Sequence, residues 1–482
     1  MSTEEDNDTD ISEVCNITNI TDACKINNCI KKITGQDSDS ASPTDIWFVD
    51  FNDNVTYNGE LIENGGFLKI FFNYSSIMDD SYKKDELLGL EYELKIYKDI
   101  ISKIIEYNIS PNFVKYYASG IGCSYDSLLN LLQNHLYDDI TDKLLNKEDV
   151  KTLLNRNLKY ILNGWSERHS INTVRYRLPP INQFYIDMLN DCKYNLILNE
   201  SVPKNSLKFN KWCSNNYKSP DFIPNLWAIL FQISTACYVL QLTKTVHNDL
   251  HSGNIWIIKL SKPTTFIYII NNKKYKITTI YKACLYDFDR SYTKRFGKNI
   301  LIEEYLCDEY AQCNELYNSL DFIKVLCYII RPKLYFKNLD DSEKILNCVV
   351  KDEKYKKLLM DVYEYSDDNN ICFFRYLTKH ALNKKKFFDN LNTLPVIIDN
   401  ISSYIPSVKI FEDIDINKYI EDKNIYICNE KNFYNDGIIN MVNYEKDFNN
   451  IDELFKSKDE EKTKRTKKTT DVTKTYNLRT RK

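Results

Sequence analysis

Residues 247–254 read His247-Asn248-Asp249-Leu250-His251-Ser252-Gly253-Asn254, a short polar stretch that follows directly on the apolar run Leu226–Leu242. The spacing has a chemical use. A carboxylate at Asp249 can orient an attacking hydroxyl and accept its proton, while an amide oxygen five residues on, at Asn254, can hold Mg²⁺ on the same side of the loop. Base and metal ligand then converge on one phosphate group.

Such a centre needs charge neutralisation more than covalent help, so a second metal-binding carboxylate is expected on a neighbouring segment. Asp287 supplies it, in Ala283-Cys284-Leu285-Tyr286-Asp287-Phe288-Asp289, where an apolar strand ends in Asp-Phe. Upstream, Lys69 in Gly66-Phe67-Leu68-Lys69-Ile70 sits within a strand-like run. Glu93, in Glu93-Leu94-Lys95-Ile96-Tyr97, lies on a helix edge whose apolar neighbours three and four positions on anchor it inward. Glu91 is the alternative partner for Lys69.

The chain around these residues has 482 residues, 43% of them hydrophobic, enough to bury a large core. Its formal charge of −4 exerts no global pull toward nucleic acid or an anionic surface. The fourteen Cys are scattered singly, without zinc-ligand spacing, and read as reduced thiols. The start MSTEEDNDTD lacks the cationic and apolar regions of a secretory signal, and no run of about 18 apolar residues is evident. An intracellular, cytoplasmic protein without membrane contact is the expectation.

Along the chain, β-like runs at Cys29–Thr34, Ile46–Phe51 and Phe67–Phe72 suggest a small antiparallel sheet, with a helix over Lys84–Tyr107 crossing beside it. Further strands are expected at Phe113–Tyr117 and Lys193–Leu198, with a helical insertion over 124–190 between them. Leu226–Leu242 reads as a core helix. Three strand runs follow, Ile255–Ile258, Phe266–Ile270 and Tyr275–Ile280, with a turn at Asn271–Asn272; Leu320–Ile330 is helical. The resulting division is an acidic disordered head over 1–27, a sheet-bearing lobe over 28–200, a helical lobe over 201–404, an extension over 405–455 and a basic disordered tail over 456–482.

The segment 247–254 matches the catalytic-loop pattern H-x-D-L-x-x-x-N, Asp287-Phe288-Asp289 resembles the D-F-G element, and Lys69 resembles the lysine of V-A-I-K. The chain thus resembles a divergent eukaryotic-type serine/threonine protein kinase, and more narrowly the kinases of large DNA viruses, a comparison that also draws on YDFDRSY and DEYAQCN. The resemblance spans roughly residues 28–400. It implies an α+β, two-lobed protein-kinase-like fold, with a small β-rich N-lobe, a mainly helical C-lobe and the helical insertion between N-lobe strands. ATP would lie between the lobes, with Gly35 at the phosphate loop and Leu198, Asn199 and Glu200 at the adenine-receiving hinge. Lys69 and Glu93 would position phosphates, Asp249 would act as base, and Asn254 and Asp287 would hold Mg²⁺. Asp321, in Ser319-Leu320-Asp321-Phe322, resembles the buried aspartate that fixes the catalytic loop; on the residues alone it can equally be a helix N-cap.

Several positions depart from the family pattern. Gly35-Gln36-Asp37-Ser38-Asp39-Ser40 has one glycine where G-x-G-x-x-G has three. Asn248 replaces an arginine that pairs with phosphate on the activation segment, and Asp289 replaces a glycine. His251 stands where protein kinases carry a lysine, a feature shared with small-molecule kinases, and no A-P-E follows Asp287. Host cytoplasm or virion is the expected setting if the chain is viral. The acceptor is expected to be a protein hydroxyl, with a small-molecule acceptor or a nucleotide-binding scaffold without turnover as alternatives. The tail KTKRTKKTTDVTKTYNLRTRK can touch nucleic-acid backbones.

Overall fold

The computed structural model describes residues 15–17, 23–36, 45–63, 65–73, 92–138, 141–153, 193–270, 273–299, 301–302, 306–307, 311–317, 319–329, 339–357, 384–411 and 425–429. Glu91, the turn at Asn271–Asn272, the later part of the insertion, residues 37–44, the head up to Val14 and the basic tail lie outside them.

Side-chain alternation builds the first layer. β1 (Ile30–Gln36), β2 (Asp45–Phe51), a short hairpin of β3 (Thr56–Tyr57) and β4 (Glu60–Leu61), β5 (Gly66–Asn73), β6 (Tyr116–Ser124) and β7 (Lys193–Glu200) follow one another along the chain. Five of these strands form an antiparallel sheet in the order β1-β2-β5-β7-β6. Successive strand residues face opposite sides. On β5 and β7, Leu68, Ile70, Leu196 and Leu198 enter a core shared with Ile33 and Trp47. Phe67, Lys69 and Asn199 face a cleft on the other side. The sixth strand begins at Tyr116 rather than at Phe113, because residues 113–115 run outside the sheet.

A helix over residues 92–106, here α1, buries Tyr97, Ile100, Ile101 and Ile104 at the helical spacing seen in the sequence. It is not uniformly α-helical. Tyr97–Ile101 forms a π turn, closed where the Ser102 amide and the Ser102 hydroxyl both donate to the Tyr97 carbonyl. The insertion opens with α2 (Tyr125–His135), capped by the Ser124 hydroxyl accepting from the Ser127 amide, and its leucines complete the core under the sheet.

The second lobe is organised by α4 (Phe222–Leu242), which follows β8 (Leu207–Lys208) and α3 (Phe209–Asn216). α4 is apolar all round and buried almost throughout, the signature of a central helix. By length and composition it could cross a membrane, which corrects the reading that no such run occurs; in this fold 83% of its apolar window is buried. β9 (Thr245–Val246) leads to the 247–254 loop, and then to β10 (Ile255–Ile270) and β11 (Lys273–Leu285). These two are continuous strands where the sequence suggested three separate runs. The polar interval around Pro263 that looked like a break is absorbed by a register shift between Lys259 and Thr264.

β12 (Tyr292–Thr293) pairs with β9, and α5 (Leu320–Ile329), α6 (Leu339–Val349), α7 (Lys384–Asp389) and α8 (Leu394–Ser402) complete the helical part. Beyond Tyr404, β13 (Lys409–Phe411) and β14 (Ile425–Asn429) flank β11 and β10. The helical lobe therefore carries a substantial sheet of its own. Strand cluster, crossing helix, insertion and helical lobe together make a mixed α/β arrangement.

The reading of all cysteines as isolated thiols is corrected. Cys15–Cys29 and Cys307–Cys313 are disulfide-bonded, with Cα separations of 5.8 and 4.5 Å. Neither pair has a spacing that marks it in sequence. Cys213, Cys237, Cys284, Cys348 and Cys428 are free and buried.

Phe231 on α4 is fully buried and meets Tyr268 edge-on at 5.5 Å. Phe231→Ala is expected to cost about 3–5 kcal/mol, read as a lower urea midpoint at unchanged slope.

Candidate functional site

Three distant segments meet at Lys69. Its Nζ lies 3.0 and 3.1 Å from the two Glu93 carboxylate oxygens and 2.7 Å from Asp287 Oδ1. Lys69 and Glu93 are buried. Burial opposes the Lys69 charge, but the carboxylates of Asp287 and Glu93 outweigh it and hold the ammonium well above its ordinary pKa. One cation cannot compensate every nearby carboxylate. Asp287 resists its own burial through Lys69 and is lowered, while burial outweighs the pull of Lys69 at Glu93 and raises it to about 7. Asp289 is raised to about 6 by burial and by the charge of Asp287.

Asp287 has φ +69°, a left-handed conformation that Asp tolerates better than most residues. Asp287 is held there because its amide donates to the Tyr97 hydroxyl at 3.0 Å, and the adjoining Phe288 is fully buried edge-on against Tyr97. The π turn of α1 thus bears directly on the site.

The 247–254 loop is fixed from beneath. Asp321, within α5, accepts from the His247 amide at 2.7 Å and the Asn248 amide at 2.8 Å, so it is a loop anchor and not an N-cap. Asn248, fully buried at φ +65°, donates through its side chain to the carbonyls of Arg290 and Cys313. The position where an arginine was missed is thus filled by a hydrogen-bonding hub. Asn254 Nδ2 donates to the Asp249 carbonyl at 2.9 Å, and Tyr286 donates from its hydroxyl to the Gly253 carbonyl at 2.7 Å. Pairing of Ile255 with Leu285 holds the loop and the Asp287 segment side by side.

Asp249 Oδ1 accepts from Gln312 Nε2 at 2.7 Å. Gln312 lies within DEYAQCN, one of the stretches that carry the resemblance, but no spacing there ties it to Asp249. His251 Nδ1 accepts from the Gly253 amide at 3.0 Å, and burial lowers its pKa, so the ring is neutral near pH 7 and supplies no cation.

The hinge residues divide by strand parity. Leu198 points into the core under the sheet and Glu200 accepts from the Lys115 amide, so only Asn199 of the three lines the cleft with its side chain. Gly35 lies in β1 at a register shift, next to the loop whose course is outside the described residues.

The cleft itself is lined by Phe67, Lys69, Asn199, Trp256, Tyr286 and Asp287 among others and has about 30 Å³ of free space, room for about one water. Asn199 Oδ1 and Trp256 Nε1 are buried on it without a hydrogen-bond partner among the described residues. A nucleotide fits the chemistry of these groups: flat aromatic faces, an orphaned acceptor and an ammonium. It fits the volume only once the walls part. Among the described residues no cluster of three His, Cys, Asp or Glu is poised for a metal, and Mg²⁺ that shares phosphate oxygens needs only one or two protein ligands. A larger cavity, about 390 Å³, lies behind the loop between Cys237, Leu316, Asp321 and Leu394. Its one charged group, Asp321, is already committed to the loop.

No family model matches the chain, and no curated protein does either. Among solved structures, a crystal structure described as a kinase domain aligns over 77% of this chain and 88% of that chain, at 13% identity and a TM-score of 0.29.

Because the Glu93 carboxyl is raised from 4.5 to about 7, its contribution to stability is full below 4.5 and is lost as pH rises through about 7. Glu93→Gln, which cannot ionise, should flatten the fall in Tm across that window, as calorimetry at a series of pH values would show.

Proposed function

We propose that the chain is an ATP-dependent phosphotransferase, most simply a serine/threonine protein kinase. The observation that carries this reading is the meeting of Lys69, Glu93 and Asp287, three segments apart in sequence, beside a loop that presents Asp249 and Asn254. Lys69 is positioned to take phosphate oxygens, and Glu93 keeps its ammonium from collapsing onto the loop. Asp249 is oriented through Oδ1 by Gln312, and Oδ2 takes no hydrogen bond among the described residues, leaving it for an acceptor hydroxyl. The proton of that hydroxyl would pass to Asp249 as its oxygen bonds to the γ-phosphorus of ATP, while the bond from that phosphorus to the β–γ bridging oxygen breaks and ADP leaves with the electron pair. Asn254 and Asp287 are the residues that would hold Mg²⁺, which neutralises charge on the transferring group.

One feature favours a second reading for the acceptor. The neutral, hydrogen-bonded His251 cannot do the work of a lysine at that position, which suits a small hydroxyl compound that brings its own contacts. Profiling transfer to mixed proteins against a panel of small hydroxyl compounds separates the two.

Asp249→Ala is expected to lower the rate of transfer from ATP by about 10²–10⁴ while leaving nucleotide affinity close to wild type. Equal transfer by wild type and variant removes Asp249 from the chemistry. If Asp287→Asn keeps the Mg²⁺-dependent rise in Tm that ATP gives the wild type, Asp287 is not the metal ligand.

A further inference from the structure

Cys307 and Cys313, six positions apart, are joined by a disulfide whose far end meets the 247–254 loop. Cys313 is fully buried and its backbone is held on that loop: Asn248 Nδ2 donates to its carbonyl at 2.8 Å, and its amide donates to Asn248 Oδ1 at 3.4 Å. The preceding residue, Gln312, carries the side-chain nitrogen that donates to Asp249 Oδ1 at 2.7 Å. From the Cys307 end of the bridge, the Leu306 carbonyl accepts from the backbone amide of Gln312 at 3.1 Å. Ala311, just before it, is fully buried at φ +57°, a left-handed conformation in which its Cβ crowds the following carbonyl. An alanine stays in that conformation only where its surroundings over-determine it. The bridge and the Leu306 bond supply that constraint, and both act through residues 306–307.

We propose that Cys307–Cys313 is a thiol–disulfide exchange site for a dithiol reductant, and that the closed bridge speeds transfer by holding Gln312 on Asp249. The inference rests on the reading of Asp249 as the base of a phosphotransferase and adds a covalent control to it. Cys307 is partly exposed and Cys313 is not, so a thiolate of the reductant attacks the Cys307 sulfur. A mixed disulfide forms there, the bond between the two chain sulfurs breaks, and Cys313 leaves with the electron pair and takes a proton. The second thiolate of the reductant then attacks the reductant sulfur of the mixed disulfide, which releases Cys307 as a thiolate that takes the second proton. The chain gains two electrons and two protons, and the dithiol becomes a disulfide. Cys313 keeps its bonds to Asn248, residues 306–307 lose their covalent tie to it, Ala311 relaxes to a right-handed conformation, and Gln312 leaves Asp249.

The test is the rate of γ-phosphoryl transfer from Mg-ATP to mixed proteins by the full chain, purified without reductant and measured before and after dithiothreitol. Alkylation and mass spectrometry count the thiols at 307 and 313. Opening the bridge should lower kcat about tenfold at unchanged KM for ATP, as expected for one lost hydrogen bond to a charged group, and oxidised glutathione should restore it. Cys307→Ser and Cys313→Ser should each start at the reduced rate and ignore dithiothreitol, although Cys15–Cys29 still opens in them. Gln312→Ala should keep the bridge, run at the reduced rate and ignore dithiothreitol as well, which a merely structural bridge would not produce. Equal kcat with the bridge closed and open overturns the proposal while leaving the phosphotransferase standing. So does a response to dithiothreitol that persists in Gln312→Ala, or a pair that remains two thiols in oxidised glutathione. A wild-type chain that transfers no phosphate in either state overturns the phosphotransferase reading and the control built on it together.

Discussion

The ammonium of Lys69, buried between the carboxylates of Glu93 and Asp287, is the contact on which the rest of the arrangement turns. It ties the sheet to its crossing helix and both to the segment leaving β11. A buried charge is tolerated only when paired and well placed, so these elements cannot drift apart independently without stranding an ion. The balance is unequal. Burial leaves Glu93 and Asp289 holding protons more tightly than ordinary carboxyls, while Asp287 keeps its charge beside the lysine.

Much of this was legible in the chain because the relevant patterns are short and local. The 247–254 loop, the strand bearing Lys69 and the run ending at Asp287 each announce themselves by residue type and spacing. Alternation along β5 and β7 also contains the information that Phe67 and Asn199 share a face with Lys69, once strand boundaries are known. Asp321 was ambiguous in sequence because a carboxylate at a helix start has two uses, and only the position of the loop amides decides between them.

What escaped notice depends on long-range contact or on backbone irregularity. Gln312 reaches Asp249 from 63 positions away, and neither cysteine pair has a diagnostic spacing. β10 and β11 looked fragmented because polar residues and a proline interrupt them, yet a bulge lets the ladder continue. The stretch beyond Tyr404 is rich in Asn, Asp and Tyr, which hides its two short strands, and both pair at the edges of the β10–β11 hairpin.

The π turn in α1 has a bearing on how this chain may be compared with others. It lodges one extra residue in the helix, so side chains before and after Tyr97–Ile101 no longer follow a single rotation of about 100° per residue. A helical wheel drawn at constant pitch from Glu93 to Ile104 therefore misplaces one end. A counterpart that lacks the bulge would be shorter by a single position there, and aligning the two without a gap would put the wrong acid opposite the lysine.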